Sequence, residues 1–167
     1  MTLQEEIIHD ISSLGGLPFY LAATGLLVLF TPASMRVGFA LTLLGALVAC
    51  FAITAIVRFV WFVPRPKPVK HHNAIERIDA SSFPSLHAMR IAVLCTIVTL
   101  LTFVTASTLT VGIVLALSLI VTTAVCWARV KRLRHRVVDV AVGAILGVIV
   151  AVIALIAMVA IPSWLGM

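Results

Sequence analysis

Residues 91–128 read IAVLCTIVTLLTFVTASTLTVGIVLALSLIVTTAVCWA, a run of 38 residues without one Asp, Glu, Lys or Arg. A single helix of that length would measure about 57 Å, nearly twice the hydrocarbon core of a bilayer. The polar stretch at 105–108 is therefore predicted to be a turn between two membrane-spanning helices, at 86–104 and 109–128. This pattern predicts a membrane protein made of helices.

The composition of the whole chain agrees with that prediction. Of its 167 residues, 62% are apolar and 11% are charged, against about 25% charged in soluble domains. A soluble fold of this length could not bury so much apolar surface, whereas lipid tails accommodate it. The net charge is +6, and basic residues near membrane helix ends record topology and contact with anionic headgroups. A nucleic-acid partner is therefore not expected.

The remaining segments complete an all-α, polytopic membrane bundle of about five transmembrane helices. Residues 1–15 form a short amphipathic helix, predicted to lie in the membrane interface. The chain is expected to be a single domain, 1–167, with its transmembrane bundle at 16–163. Three further spans are predicted: 17–30, 37–57 and 138–161. Glycines at small-residue spacings favour close helix packing: Gly38, Gly45, Gly143 and Gly147.

Positive charge is distributed unevenly between the two membrane faces that five spans define. The N-terminal helix, the polar loop at 64–83 and the basic segment at 129–136 fall on one face. That face and its adjoining helix ends hold eleven of the twelve Lys and Arg residues, and the opposite face holds Arg36. The bias indicates the cytoplasmic side, a polyanion site, or both.

Three clusters on the charged face contain residues suited to chemistry. Taken alone, each has an ordinary explanation, such as an arginine that anchors a helix end or a histidine at the interface. The clusters are Arg58 with Arg65-Pro66, then Pro84-Ser85-Leu86-His87 at a helix start, and finally Arg129 with His135 and Asp139.

Together the clusters supply the parts that phosphoryl transfer requires. Arginines and the free N–H groups of a helix N-terminus stabilise phosphate oxygens. His135 and Asp139 are four residues apart, so on a helix the carboxylate can accept a bond from one ring nitrogen and leave the other free to attack. His87 can serve as a proton donor.

The three clusters resemble the motifs of the type 2 phosphatidic acid phosphatase superfamily, which shares its site with vanadium haloperoxidases. The family motifs are K-x6-R-P, P-S-G-H and S-R-x5-H-x3-D. The corresponding residues here are Arg58-x6-Arg65-Pro66, Pro84-Ser85-Leu86-His87, and Ala128-Arg129-x5-His135-x3-Asp139. Their order and internal spacing match over residues 58–139, and the resemblance implies active-site loops at 64–85 and 129–137.

The resemblance implies a role for each matching residue. His135 would attack phosphorus to form a phosphohistidine, with Asp139 orienting it. His87 would protonate the leaving oxygen and then activate water. The phosphate would be held by Arg58, Arg65, Ser85, Arg129 and the backbone N–H of Leu86.

Three positions depart from the family motifs, and none of them removes a nucleophile, an acid or an orienting group. Arg58 replaces Lys and keeps the charge in a planar, bidentate form. Leu86 replaces Gly and keeps the backbone donor. Ala128 replaces Ser and loses one side-chain hydrogen bond. Activity is therefore expected.

The expected protein is an integral membrane lipid phosphatase of a prokaryotic cell membrane, without metal or cofactor. Its substrate would be a lipid phosphate of the polyprenyl diphosphate, phosphatidylglycerophosphate or phosphatidic acid type. The alternative is a non-catalytic membrane protein that binds or flips lipid phosphates.

Other polar residues receive structural interpretations. His71 and His72 could bind a metal with Asp79, but adjacent side chains diverge, which favours a solvated loop. His9 is interpreted as interfacial. A stripe facing lipid headgroups is predicted for Lys131, Arg132, Arg134 and Arg136. The sequence does not determine the oligomeric state.

Overall fold

The computed structural model of the chain describes residues 2–67 and 72–164, which are helical apart from short connections. The helices are α1 (Leu3–Ser13), α2 (Leu17–Phe30), α3 (Arg36–Val60), α4 (Ala74–Ala80), α5 (Leu86–Thr105), α6 (Thr108–Lys131) and α7 (Val137–Trp164). The described part of the chain contains no strand beyond one isolated bridge between Pro64 and Ser81. The predicted all-α bundle is confirmed.

Within residues 2–67 and 72–164, four helices are long and apolar enough to cross a membrane: α3, α5, α6 and α7. The remaining predicted span, 17–30, is the first along the chain. It is helical over those residues, but a helix of 14 residues is only about 21 Å long. Helices α1 and α2 pass the same test only as a pair, and they meet at a bend of 52°. The count of about five spans therefore holds if this bent pair is one of them.

Local sequence signals place the helix ends close to their predicted positions. Thr2 begins α1 with a reciprocal capping box, in which its hydroxyl accepts from the Glu5 N–H and the Glu5 carboxylate accepts from the Thr2 N–H. The hydroxyl of Ser107 accepts from the Thr110 N–H at the start of α6. The α5–α6 turn predicted at 105–108 thus lies where its polar residues indicate.

Helix α5 lies at the centre of the bundle and packs against α3, α6 and α7. Two of the four singled-out glycines explain its close approach to α7. A Cβ on Gly143 would lie 2.5 Å from the Ser85 carbonyl oxygen, and one on Gly147 would overlap the Met89 carbonyl. The prediction is wrong for Gly38 and Gly45, because a Cβ there would meet no described atom within 4 Å.

The segments assigned to the charged face lie together. The Lys67 N–H donates to the Leu133 carbonyl (3.1 Å), and Arg129 donates to the Ser12 hydroxyl (3.1 Å). These bonds join the polar loop after α3, the loop after α6 and helix α1. The polar loop is not wholly irregular, since its second half forms α4 with Asn73 as its N-cap.

Candidate active site

The start of α5 contains two of the residues predicted to hold the phosphate, Ser85 and Leu86. Ser85 is the N-cap residue, but its hydroxyl makes no capping bond, is fully buried and has no hydrogen-bond partner. Leu86 is the first residue of α5, where backbone N–H groups lack partners within the helix. The Ser85 N–H donates to the Asp139 carbonyl (3.0 Å), so α7 holds this turn in place.

Arg58 lies near the end of α3, and Arg65 lies in the loop that follows α3. Arg58 is 7% exposed and donates to the Pro84 carbonyl (3.0 Å) and the Ile78 carbonyl (3.4 Å). Arg65 donates to the Asp79 carbonyl, and its guanidinium lies 3.9 Å from the Asp79 carboxylate. Burial lowers the pKa of Arg65. Arg65 is thus anchored to α4, and Arg58 to both α4 and the connection that follows it.

Arg129, near the end of α6, links α1 to His135, the predicted nucleophile. One terminal nitrogen donates to the Ser12 hydroxyl (3.1 Å), and the other lies 3.3 Å from Nε2 of His135. Only 8% of Arg129 is exposed. The guanidinium therefore sits beside the nitrogen expected to attack phosphorus.

His135 is held in the form that a nucleophile requires. Its Nδ1 donates to the Ser82 carbonyl (2.7 Å), which leaves Nε2 as the unprotonated nitrogen facing Arg129. Burial and the Arg129 charge lower the pKa of His135 from 6.5 to about 3. The ring is consequently neutral at physiological pH, and the lone pair on Nε2 accepts a hydrogen bond from Arg129.

The contact predicted between Asp139 and His135 is not the one in the structure. The Ser82 carbonyl occupies Nδ1 of His135, while the Asp139 carboxylate accepts from the Arg136 N–H (2.7 Å) at the start of α7. An aspartate at this position in the first turn stabilises the helix N-terminus. The i, i+4 argument assumed that both residues are helical, whereas α7 begins only at Val137.

Unsatisfied buried donors coincide with the predicted phosphate contacts. Among the described residues, six buried side-chain nitrogen or oxygen atoms lack a hydrogen-bond partner. Four of them belong to residues predicted to bind phosphate: Nε of Arg58, Arg65 and Arg129, and Oγ of Ser85. Buried polar groups are normally satisfied, so an anion that accepts from these atoms would complete the site.

A fifth unpartnered atom, Nε of Arg90, belongs to a residue that sequence reasoning missed. Arg90 is 4% exposed, and its guanidinium lies 3.5 Å from Nδ1 of His87 and 5.6 Å from the centre of the Phe51 ring. The available signal was its position three residues after His87, which places both side chains on one face of a helix. The Ser82 carbonyl and the Ser12 hydroxyl were missed as well.

His87, the second residue of α5, lies within electrostatic range of Arg129 and His135. The described residues contain no group of three or more His, Cys, Asp or Glu side chains that could hold a metal ion. Of the weaker candidates, His72 is exposed, and His71 lies outside the described residues.

The fold is that of an integral, multi-pass membrane protein, and the predicted phosphate-binding residues carry buried donors without partners. The PAP2 superfamily model matches residues 39–162, most of the chain, and the chain belongs to that superfamily. The fold resembles the crystal structure described as the first transmembrane PAP2 type phosphatidylglycerolphosphate phosphatase from Bacillus subtilis, with a TM-score of 0.69 and 20% identity over 92% of this chain and 76% of that one. Comparison with curated proteins finds no match.

Proposed function

We propose that this protein is a lipid phosphatase that removes a phosphoryl group through a phosphohistidine intermediate. The observation that carries the proposal is the group of buried, unpartnered donors on Arg58, Arg65, Arg129 and Ser85, together with the unprotonated Nε2 of His135 beside Arg129. The three arginines interact electrostatically with His135. Arginine charge and N–H donors are what a transferring phosphoryl group needs, so the reaction requires no metal or cofactor.

In the first step, the lone pair on Nε2 of His135 forms a bond to phosphorus while the bond from phosphorus to the leaving oxygen breaks. The electron pair of that bond goes to the leaving oxygen, which takes a proton from His87. In the second step, His87 accepts a proton from water as the water oxygen attacks phosphorus. Nε2 of His135 is then released, and inorganic phosphate leaves.

The substrate is proposed to be a lipid because the pocket lies at the ends of membrane helices. An apolar tail can remain beside the helices while the head reaches the arginines. The superfamily and the phosphatidylglycerolphosphate phosphatase of similar fold support a lipid phosphate. Polyprenyl diphosphate, phosphatidylglycerophosphate and phosphatidic acid all present a terminal phosphoryl group to such a site.

Phosphate release from these lipids in detergent micelles tests the proposal. His135→Ala and His87→Ala are each expected to lower the rate by about 10²-fold or more, whereas His72→Ala, an exposed histidine outside the pocket, should match wild type. Full activity in either catalytic variant would refute the mechanism. Binding of lipid phosphate without any release would favour the non-catalytic alternative.

The two steps can be separated with an aryl phosphate, whose leaving group departs without protonation. His87→Ala should then complete the first step and stall at the second. Acid-labile, alkali-stable phosphate should accumulate on the protein and disappear in the His87→Ala/His135→Gln double variant. Phosphate that remains bound in the double variant would show that another residue is the nucleophile.

The charge bias leads us to propose that the active site faces the cytoplasm. Cysteine labelling in intact cells tests this, with Ser34→Cys on the opposite face from His72→Cys. Both positions are exposed, whereas Ser81, near the site, is fully buried and unsuitable as a label. An impermeant reagent should reach position 34 only; labelling of position 72 alone would reverse the assignment.

A further inference from the structure

A cavity of about 330 Å³ opens beside His87, at the corner where α1 turns into α2. His87 and Arg129 line one side of it, and Arg132, His9 and Ser12 line the others. The corner packs tightly against α5: a Cβ on Gly15 would lie 2.9 Å from the His87 carbonyl oxygen. The cavity thus adjoins the proposed acid and does not include the proposed nucleophile.

The lining of this cavity is positively charged. Arg129 and Arg132 contribute guanidinium groups, and the described lining residues include neither Asp nor Glu. Asp10, next to the lining residue His9 in the sequence, does not line the cavity. Its carboxylate lies 3.6 Å from the His9 ring, and its side chain is 84% exposed to solvent. Ser12 accepts from Arg129, which leaves its hydroxyl proton for another acceptor. These groups suit an anion.

The position of the cavity relates it to the leaving group. In an in-line displacement the nucleophile and the leaving oxygen lie on opposite sides of phosphorus. His135 attacks from one side, so the leaving group departs towards His87 and the cavity that His87 lines. A neutral leaving group such as diacylglycerol would bring no negative charge to Arg132.

The polar cavity shares one lining residue with an apolar cleft. Phe19 lines both the cavity and a cleft of about 360 Å³ between α2, α5 and α6. The cleft is bordered by apolar side chains such as Leu27, Leu94 and Val121. An occupant that fills both spaces has an anionic group joined directly to a hydrocarbon chain.

We infer that the cavity at the α1–α2 corner binds a second phosphate, one that stays on the lipid leaving group. The inference rests on the proposed function and narrows its substrate to lipids that carry two phosphates in the head. Two kinds of lipid share this chemistry: an alkyl diphosphate, and a lipid whose phosphodiester precedes a terminal phosphate. In either case, cleavage moves the bonding electron pair to the leaving oxygen and the phosphoryl group to His135.

Initial rates of phosphate release from farnesyl phosphate and farnesyl diphosphate, which share one chain, test the inference. Wild type should prefer the diphosphate in kcat/KM, and Arg132→Ala should lower the diphosphate-to-monophosphate ratio by about 10-fold or more. Arg136→Ala is the matched control, because it removes the same charge from the same loop at an exposed position outside the cavity. Arg132→Lys should recover part of the ratio.

A third substrate, phosphatidylglycerol with a terminal phosphate, distinguishes the two sources of the second phosphate. For each of the two substrates with two phosphates, kcat/KM is divided by kcat/KM for farnesyl phosphate. The substrate whose ratio falls in Arg132→Ala is the one whose second phosphate the cavity binds. If wild type shows no preference, or if Arg132→Ala and Arg136→Ala lower the ratios equally, the inference is overturned and the proposed function stands. If none of the three substrates releases phosphate, the proposed function itself fails.

Discussion

The buried His135 should make folding stability depend on pH in a way that can be calculated. Its ring is 2% exposed, and burial together with Arg129 lowers its pKa to about 3, whereas an exposed histidine titrates near 6.5. Between these values the unfolded chain binds a proton that the folded chain does not. Stability contributed by the neutral ring is therefore complete above pH 6.5 and is lost as the pH falls towards 3.

The loss at pH 5 follows from the 1.5-unit gap between that pH and the pKa of the unfolded histidine. It amounts to about 2 kcal/mol, because the folded ring stays neutral and the unfolded ring is about 97% protonated. For a chain of this size, about 2 kcal/mol corresponds to a Tm change of roughly 4–8 °C.

Thermal unfolding in detergent at pH 7 and pH 5, followed by tryptophan fluorescence, measures the effect. His135→Gln is the comparator, since its amide can still donate to the Ser82 carbonyl but does not titrate. Wild type should lose about 4–8 °C more than the variant between the two pH values. Equal losses would show that His135 is not held neutral in the folded protein, and the argument for an unprotonated Nε2 would fail.

Substitutions at Arg129, Gly143 and Asp139 test other parts of the site. Arg129→Ala should lower phosphate release by about 10²- to 10³-fold, and Arg129→Lys by less, since lysine keeps the charge but not the fork that spans two partners; equal rates for Lys and wild type would contradict this. Gly143→Ala should cost about 1–3 kcal/mol of stability by pressing on the Ser85 backbone, whereas Gly45→Ala, which faces open space among the described atoms, should be neutral or stabilising in the same melts. Asp139→Asn keeps an acceptor at the start of α7, so stability should hold and activity should fall by about 10-fold or less; a loss near 10⁴-fold would show that the carboxylate does orient the nucleophile.

Sequence reasoning predicted the helices well because their boundaries depend on local chemistry. The α5–α6 turn follows from bilayer thickness and a short polar stretch, and the N-caps Thr2 and Ser107 act within four residues. The exception is the role of α2, whose 14 residues are helical as predicted but too few to cross alone. Its relation to α1 depends on a bend at Gly15-Gly16, and the angle of such a bend is set by packing.

The site contacts that were missed are those made by backbone groups or between distant segments. His135 is held by the carbonyl of Ser82, 53 residues earlier, and every residue type carries a carbonyl. Arg129 and Ser12 are 117 residues apart, and nothing in the N-terminal helix marks Ser12 as different from Ser13. Such pairings depend on how helices register against one another, which the spacing of motifs does not determine.

The excess of positive charge on one face has two possible causes, membrane topology and an anion-binding site. Burial of the basic side chains, more than their number, distinguishes these causes. An exposed basic residue such as Arg136 or Lys131 keeps its hydration and costs little, so its charge is explained by topology alone. Burying a guanidinium with unpaired N–H groups costs free energy unless an anion completes its contacts. Arg58 and Arg129 are buried in this way at the membrane face, and Arg90 is buried one turn deeper along α5. A topology signal would not require any of these three to leave water, whereas an anion that binds and leaves in each turnover requires all of them to be in place beforehand.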